Sequence, residues 1–181
     1  MDGTLVDLGI DWDSLREEVR REMGWSHPLR PLGRSIPLAA RSEEEVRRAF
    51  EIVERAELRA AERARPSPIL RELLEKIKER GLKLGLVTLQ ARRSAFRVLE
   101  RLGVEDLFDV VITREYSLDR REQLEQALRE LGVEPSACVF LGDMEWDVRA
   151  GRELGCLTIG VGRRIEGADA YIRSMEDLAV Y

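Results

Sequence analysis

Four short apolar runs constrain what most of this chain can fold into: LKLGLVT (82–88), FDVVIT (108–113), ACVFLGD (137–143) and CLTIGV (156–161). Each has the length of a strand and is almost continuously apolar, the pattern of a strand covered on both faces. Longer amphipathic segments separate them, at 69–80, 91–102, 120–131 and 144–154, and stop at Gly81, Gly103, Gly132 and Gly155. Glycine ends a helix by entering the left-handed region without steric cost. Strands alternating with helices in this rhythm give a parallel sheet with right-handed crossovers. The expected class is therefore α/β, a Rossmann-like doubly wound parallel sheet.

The preceding stretch reads differently. Residues 11–24, DWDSLREEVRREMG, predict a helix capped by Asp13 or Asp11, with Leu15 and Val19 on one face and Gly24 as the stop. Residues 25–41 hold three prolines and one glycine and read as a loop. Ser42 and Glu45 fit a capping box, and the helix after them carries Val46, Ala49, Phe50, Val53 and Ala60 to about Arg65, where RPSP breaks it.

Open α/β sheets bind ligands at the carboxyl ends of their strands. What this chain delivers there is MDGTLVD at the start, Thr88, Thr113 followed by Arg120 and Arg121, and Gly142-Asp143 with Asp147 four residues on. Each has a bland reading on its own: a turn, a β-branched strand end, a solvated helix face, a helix cap. Their shared placement brings acids, a hydroxyl and a base to one edge. A formal net charge of -5 argues against a nucleic-acid partner. No apolar run approaches the roughly 20 residues of a membrane helix, and the charged start is unlike a signal peptide. Cys138 and Cys156 lack CxxC spacing and read as buried thiols in a reducing cytoplasm. The chain has no asparagine, and arginine greatly outnumbers lysine, a composition that suits a thermophile.

Taken together, DGTLVD (2–7), LGLVT (84–88), the basic pair Arg120-Arg121 and GDMEWD (142–147) resemble the four motifs of the haloacid dehalogenase-like (HAD) hydrolase superfamily. FDVVIT and LGCLTIGV look like its phosphoglycolate-phosphatase-like branch. The resemblance implies a core of residues 1–8 and 67–181, with a small helical C1-type cap at 9–66. It implies a phosphatase acting on a small phosphorylated metabolite, phosphoglycolate-like or a sugar phosphate, through an aspartyl-phosphate. A phosphoryl group among carboxylates needs a divalent cation between them, and Mg²⁺ suits hard oxygen ligands. Asp143 would bind it directly, the Asp2 backbone carbonyl would add a ligand, and Asp147 would hold a metal-bound water. The Thr88 hydroxyl and the Leu89 amide would donate to a phosphoryl oxygen. Arg121 or Arg120 would neutralise charge. The Asp2 side chain would serve as general acid and then base. Arg34, read as a loop residue between cap helices, would reach an anionic part of the substrate. His27 reads as a loop residue, and Trp12, Trp25 and Trp146 as packing residues.

The chain departs from the family pattern in three places. LDRR stands where Lys-Pro is common, and Leu89-Gln90 follows Thr88 where asparagine is common. The third concerns the nucleophile. In the family's DxDGT the first aspartate attacks phosphorus; with Asp2 as the second, the nucleophile falls one position ahead of Met1. The expectation is that the central first strand is largely missing and that the chain as written has little activity. The alternatives are a non-catalytic metal- and phosphate-binding relative, a phosphomutase, or a metal-independent dehalogenase. A dinucleotide oxidoreductase is disfavoured, since no GxGxxG follows a first strand. Monomer and homodimer are both compatible with the sequence.

Overall fold

A computed structural model describes residues 1–180. Helices α1 (Trp12–Met23), α2 (Leu32–Ala39) and α3 (Glu43–Ala61) come first; α4 (Pro68–Glu79), β1 (Gly85–Val87), α5 (Arg92–Leu102), β2 (Val110–Ile112), α6 (Arg120–Leu131), β3 (Val139–Gly142), α7 (Glu145–Leu154), β4 (Leu157–Val161) and β5 (Ala170–Ile172) follow. All strand pairings in the two sheets are parallel: β1 pairs with β2, and β3 with β4 and β4 with β5. The class is the expected α/β one, with the strands divided between a two-stranded and a three-stranded sheet. At the start of the chain a tight turn forms, in which the Met1 carbonyl accepts from Thr4, Leu5 and Val6 amides at 3.2, 2.8 and 3.3 Å.

The caps explain the helix boundaries. Asp11 accepts from the Ser14 amide at 3.0 Å, Ser42 from Glu45 and Ser67 from Leu70. Gly24, Gly103, Gly132 and Gly155 close their helices in the left-handed region. Residues 25–41 do not form the expected continuous loop. Leu32 and Ile36, one turn apart, are buried with Leu29, and that apolar face holds α2 together despite Pro37 within it. Arg34 therefore sits on a helix. Strand β5 has only three residues, too few to leave a periodic signal.

Helices α1, α2 and α3 enclose their own apolar cluster, with Leu15, Val19, Leu29, Ile36, Ile52 and Val53 at its centre. The C-terminal end of α3 leaves it: Ala60 and Ala61, with Ala64 beyond, join the cluster of Leu73, Leu74, Leu86, Val98 and Leu99 under the sheet. Among the described residues no helix is long and apolar enough to cross a membrane.

Gly151 of α7 is fixed by close approach. A β-carbon there would stand 2.6 Å from Thr158 Cγ2 and 3.2 Å from Phe140 Cδ1. Thr158 cannot swing its methyl away freely, because its hydroxyl donates to Asp169 Oδ2 at 2.8 Å. Gly151→Ala gains up to about 1 kcal/mol of helix propensity but overpacks at a cost of about 1–3 kcal/mol. The expected outcome is a net loss near 1 kcal/mol, read as a lower urea midpoint at unchanged slope.

Candidate functional site

Thr88 follows β1 and is buried. Its amide donates to the Ile112 carbonyl at 2.9 Å, which extends the β1–β2 ladder by one residue. Its own carbonyl accepts from Gln123 Nε2 at 2.8 Å, and its hydroxyl accepts from the Gln90 amide at 3.2 Å. Gln123 lies on α6 and is fully buried. Its Oε1 accepts from Arg120 Nη1 at 2.7 Å. One glutamine thus ties the end of β1 to the first residue of α6.

Arg120 turns inward and donates from Nε to Asp147 Oδ1 at 2.7 Å, both side chains being largely buried. The other oxygen of Asp147 accepts from the Met144 amide at 3.2 Å, at the start of α7. Burial pushes the Asp147 carboxyl above its ordinary value, and Arg120 pulls against that shift. A β-carbon on Gly142 would overlap the Asp147 side chain, so the strand end and this carboxylate pack directly on one another.

Asp143 accepts from the Thr4 hydroxyl at 3.2 Å. Gly3, at φ 75°, lies against its carboxylate so closely that any β-carbon would displace it. The DGT turn is built onto the acidic loop in this way. Asp2 is half-buried and accepts from the Leu8 amide at 2.8 Å.

The fold therefore sets the DGT turn against Asp143 and pairs Asp147 with Arg120, with Thr88 joined to Arg120 through Gln123. Arg121 goes elsewhere: it is half exposed, and its nearest carboxylate partner is Glu153 on α7 at 3.9 Å. Leu89 is half-buried, and its carbonyl accepts from Arg114 at 3.4 Å. Arg34 donates to Asp119 Oδ2 at 2.9 Å. The other oxygen of Asp119 caps α6, accepting from the Arg121 and Glu122 amides.

Sequence reasoning missed Gln123, Asp119 and Arg163, whose Nε donates to the Asp143 carbonyl at 3.1 Å. A signal for Gln123 was available. It lies one position before Leu124 and four before Ala127 on the buried face of α6, where a polar residue asks for partners.

Among the described residues no three or more His, Cys, Asp and Glu side chains converge as a ready metal cage. Mg²⁺ keeps water and takes one or two carboxylates plus phosphate oxygens. Asp143 has the freest carboxylate for this; Asp147 is committed to Arg120 and Met144. Two recesses lie elsewhere: one of about 560 Å³ around Arg16, Arg20 and Arg30, and one of about 710 Å³ beside Phe96 and Phe108.

Residues 1–155 match the family model of the haloacid dehalogenase-like hydrolases. Among curated proteins, pyrophosphatase PpaX of Bacillus pumilus is 31% identical over 109 residues, covering 59% of this chain and 50% of that protein. N-acetylmuramic acid 6-phosphate phosphatase of Pseudomonas aeruginosa is 28% identical over 183 residues, 89% of this chain and 78% of that one. The match to PpaX thus spans about half of that relative's length. Among solved structures, a hydrolase from Pseudomonas syringae superposes with a TM-score of 0.80 at 22% identity, covering 99% of this chain and 93% of that chain, a likeness of fold.

Proposed function

Because the chain belongs to the haloacid dehalogenase-like hydrolase family, we propose that it serves a Mg²⁺-dependent phosphatase that cleaves a small phosphomonoester through an aspartyl-phosphate. The observation that carries this reading is the seating of the Asp2-Gly3-Thr4 turn against Asp143, with Asp147 paired to Arg120 and Thr88 joined to Arg120 through Gln123. Asp143 and the Asp2 carbonyl would hold the cation, which supplies charge neutralisation for an incoming phosphoryl group. Thr88 and the Leu89 amide donate to phosphoryl oxygens. Arg120 orients Asp147 and counters charge as the transition state develops.

In this reading the nucleophile is the first aspartate of the family's DxDGT pattern, of which Asp2 is the second. It attacks phosphorus while the leaving alcohol takes a proton from Asp2. Asp2, now a base, removes a proton from water as water attacks the aspartyl-phosphate, and inorganic phosphate leaves. We place the protein in the cytoplasm; burial pushes the Cys138 thiol up to about 12, which keeps it protonated and inert.

The test extends the chain at its amino terminus by an apolar strand ending in Asp, or in Asn as the control. Phosphate release from a panel of phosphomonoesters is then followed with Mg²⁺ or with EDTA. The Asp version should hydrolyse with Mg²⁺ only, by about 10³-fold or more over the Asn version and the 181-residue chain. Equal rates for all three, or indifference to EDTA, would overturn the reading.

A further inference from the structure

Gln90 follows the Thr88-Leu89 pair and is 4% exposed, yet neither its Nε2 nor its Oε1 meets a hydrogen-bond partner. Its backbone is fully engaged: the amide donates to the Thr88 hydroxyl at 3.2 Å and the carbonyl accepts from the Arg114 amide at 3.2 Å. A carboxamide buried without partners is costly, since it forgoes water and gains nothing in exchange. Such a group in a native protein asks for an explanation.

Its surroundings supply one. On one side, Leu89 lies against α2, with its Cδ1 3.9 Å from where a β-carbon on Gly33 would stand. On the other, the Ala91 amide donates to Glu57 of α3 at 3.1 Å. Gln90 thus lies between the phosphoryl-binding end of β1 and two of the helices that precede the core.

We propose that Gln90 is a specificity-determining residue whose carboxamide receives a hydroxyl group of the leaving alcohol, so that the substrate is the phosphate ester of a neutral, hydroxyl-bearing alcohol of sugar or polyol type. This rests on the phosphoryl-site reading above and narrows its substrate. The chemistry decides between leaving groups. A carboxamide offers a donor and an acceptor, and a hydroxyl matches both. A carboxylate or a second phosphate accepts only, and leaves Oε1 unpaired. The neighbouring cations agree, because Arg34 is matched by Asp119 and Arg114 by Glu57, and neither is left to hold an anionic leaving group.

The experiment is titration calorimetry on the 181-residue chain with Mg²⁺, using a panel of sugar and polyol phosphates, phosphoglycolate and inorganic phosphate, on the natural sequence and on Gln90→Leu. Gln90→Met, closer in length, replaces the leucine variant if that one does not melt cooperatively. At least one sugar or polyol phosphate should bind more tightly than phosphoglycolate. The substitution should weaken that ligand on the order of tenfold and leave inorganic phosphate unchanged. Removing an unpaired buried amide should hold or raise the melting temperature. If the substitution leaves every affinity unchanged, or weakens all ligands alike, Gln90 holds internal water or shapes the loop and the proposal fails, while the phosphoryl site stands. If not even inorganic phosphate binds, the phosphoryl-site reading fails and takes this one with it.

Discussion

Replacing Glu57 by alanine is expected to cost about 3–5 kcal/mol of folding stability, because a buried ion pair broken on one side leaves an uncompensated charge. Glu57 is 2% exposed and accepts from Arg114 Nη1 at 2.7 Å, Ser94 Oγ at 2.9 Å and the Ala91 amide at 3.1 Å. Without it, Arg114 keeps only the Leu89 and Phe50 carbonyls, at 3.4 and 3.3 Å, and the face of the Phe50 ring. The double change Glu57→Leu with Arg114→Met removes both charges and should recover most of the loss. A double-mutant cycle by urea unfolding reads the difference; a single-variant cost below about 1 kcal/mol would show that water reaches Arg114.

The same carboxylate gives a pH signature. Burial holds Glu57 above the ordinary range despite Arg114 and its hydrogen bonds. With the folded value raised, the folded state binds the proton more readily than the unfolded one. This contribution is fully present below the unfolded carboxylate value of about 4.3 and is lost as pH rises through the folded value. Glu57→Gln should remove that descending part of the stability profile, whereas a variant at the exposed Glu44 should not.

The largest effect on turnover is expected at Arg120. In the version of the chain extended by a strand ending in Asp, Arg120→Ala should lower kcat/KM by about 10²–10³-fold, the usual cost of losing one charge-stabilising donor. Arg121→Ala should stay within about twofold, since its side chain is half exposed and only loosely paired with Glu153. Arg120→Ala also leaves Asp147 without the cation that opposes its burial, so its carboxyl should rise further and take up a proton at higher pH. Arg120→Lys, which restores charge but not the fork, should recover part of the loss. If the Arg121 variant is the inactive one, the inward-facing role given to Arg120 is wrong.

How much was readable in advance follows from how local each signal is. The strands β1 to β4 stood out because burial on both faces makes a run almost wholly apolar, and the helices between them because glycine marks their ends. The segment 25–41 misled, since three prolines outweighed a two-residue apolar face that only packing against α1 and α3 makes decisive. Which arginine turns inward was undecidable from LDRR. Adjacent helical positions point about 100° apart, and the Asp119 cap that sets the register acts through backbone amides. Gln123 was silent for a related reason, and Gln90 stood out only as a departure from the family pattern: a glutamine looks the same in sequence whether it faces water or the core. The placing of the DGT turn and the GDMEWD loop at strand ends is readable in the sequence; their contact is not. The glycine contacts that make it possible, at positions 3 and 142, are legible only in three dimensions.

The bond from Arg34 to Asp119 has a consequence for motion. It joins α2 to the residue that caps the helix carrying Arg120, and both partners are about two-fifths exposed. Such a contact contributes about 0–1 kcal/mol, close to thermal energy, and it weakens as added salt shortens the Debye length. It is a light tie between α2 and the first turn of α6: ordinary fluctuations release it, and ionic strength alone should shift how often it is made.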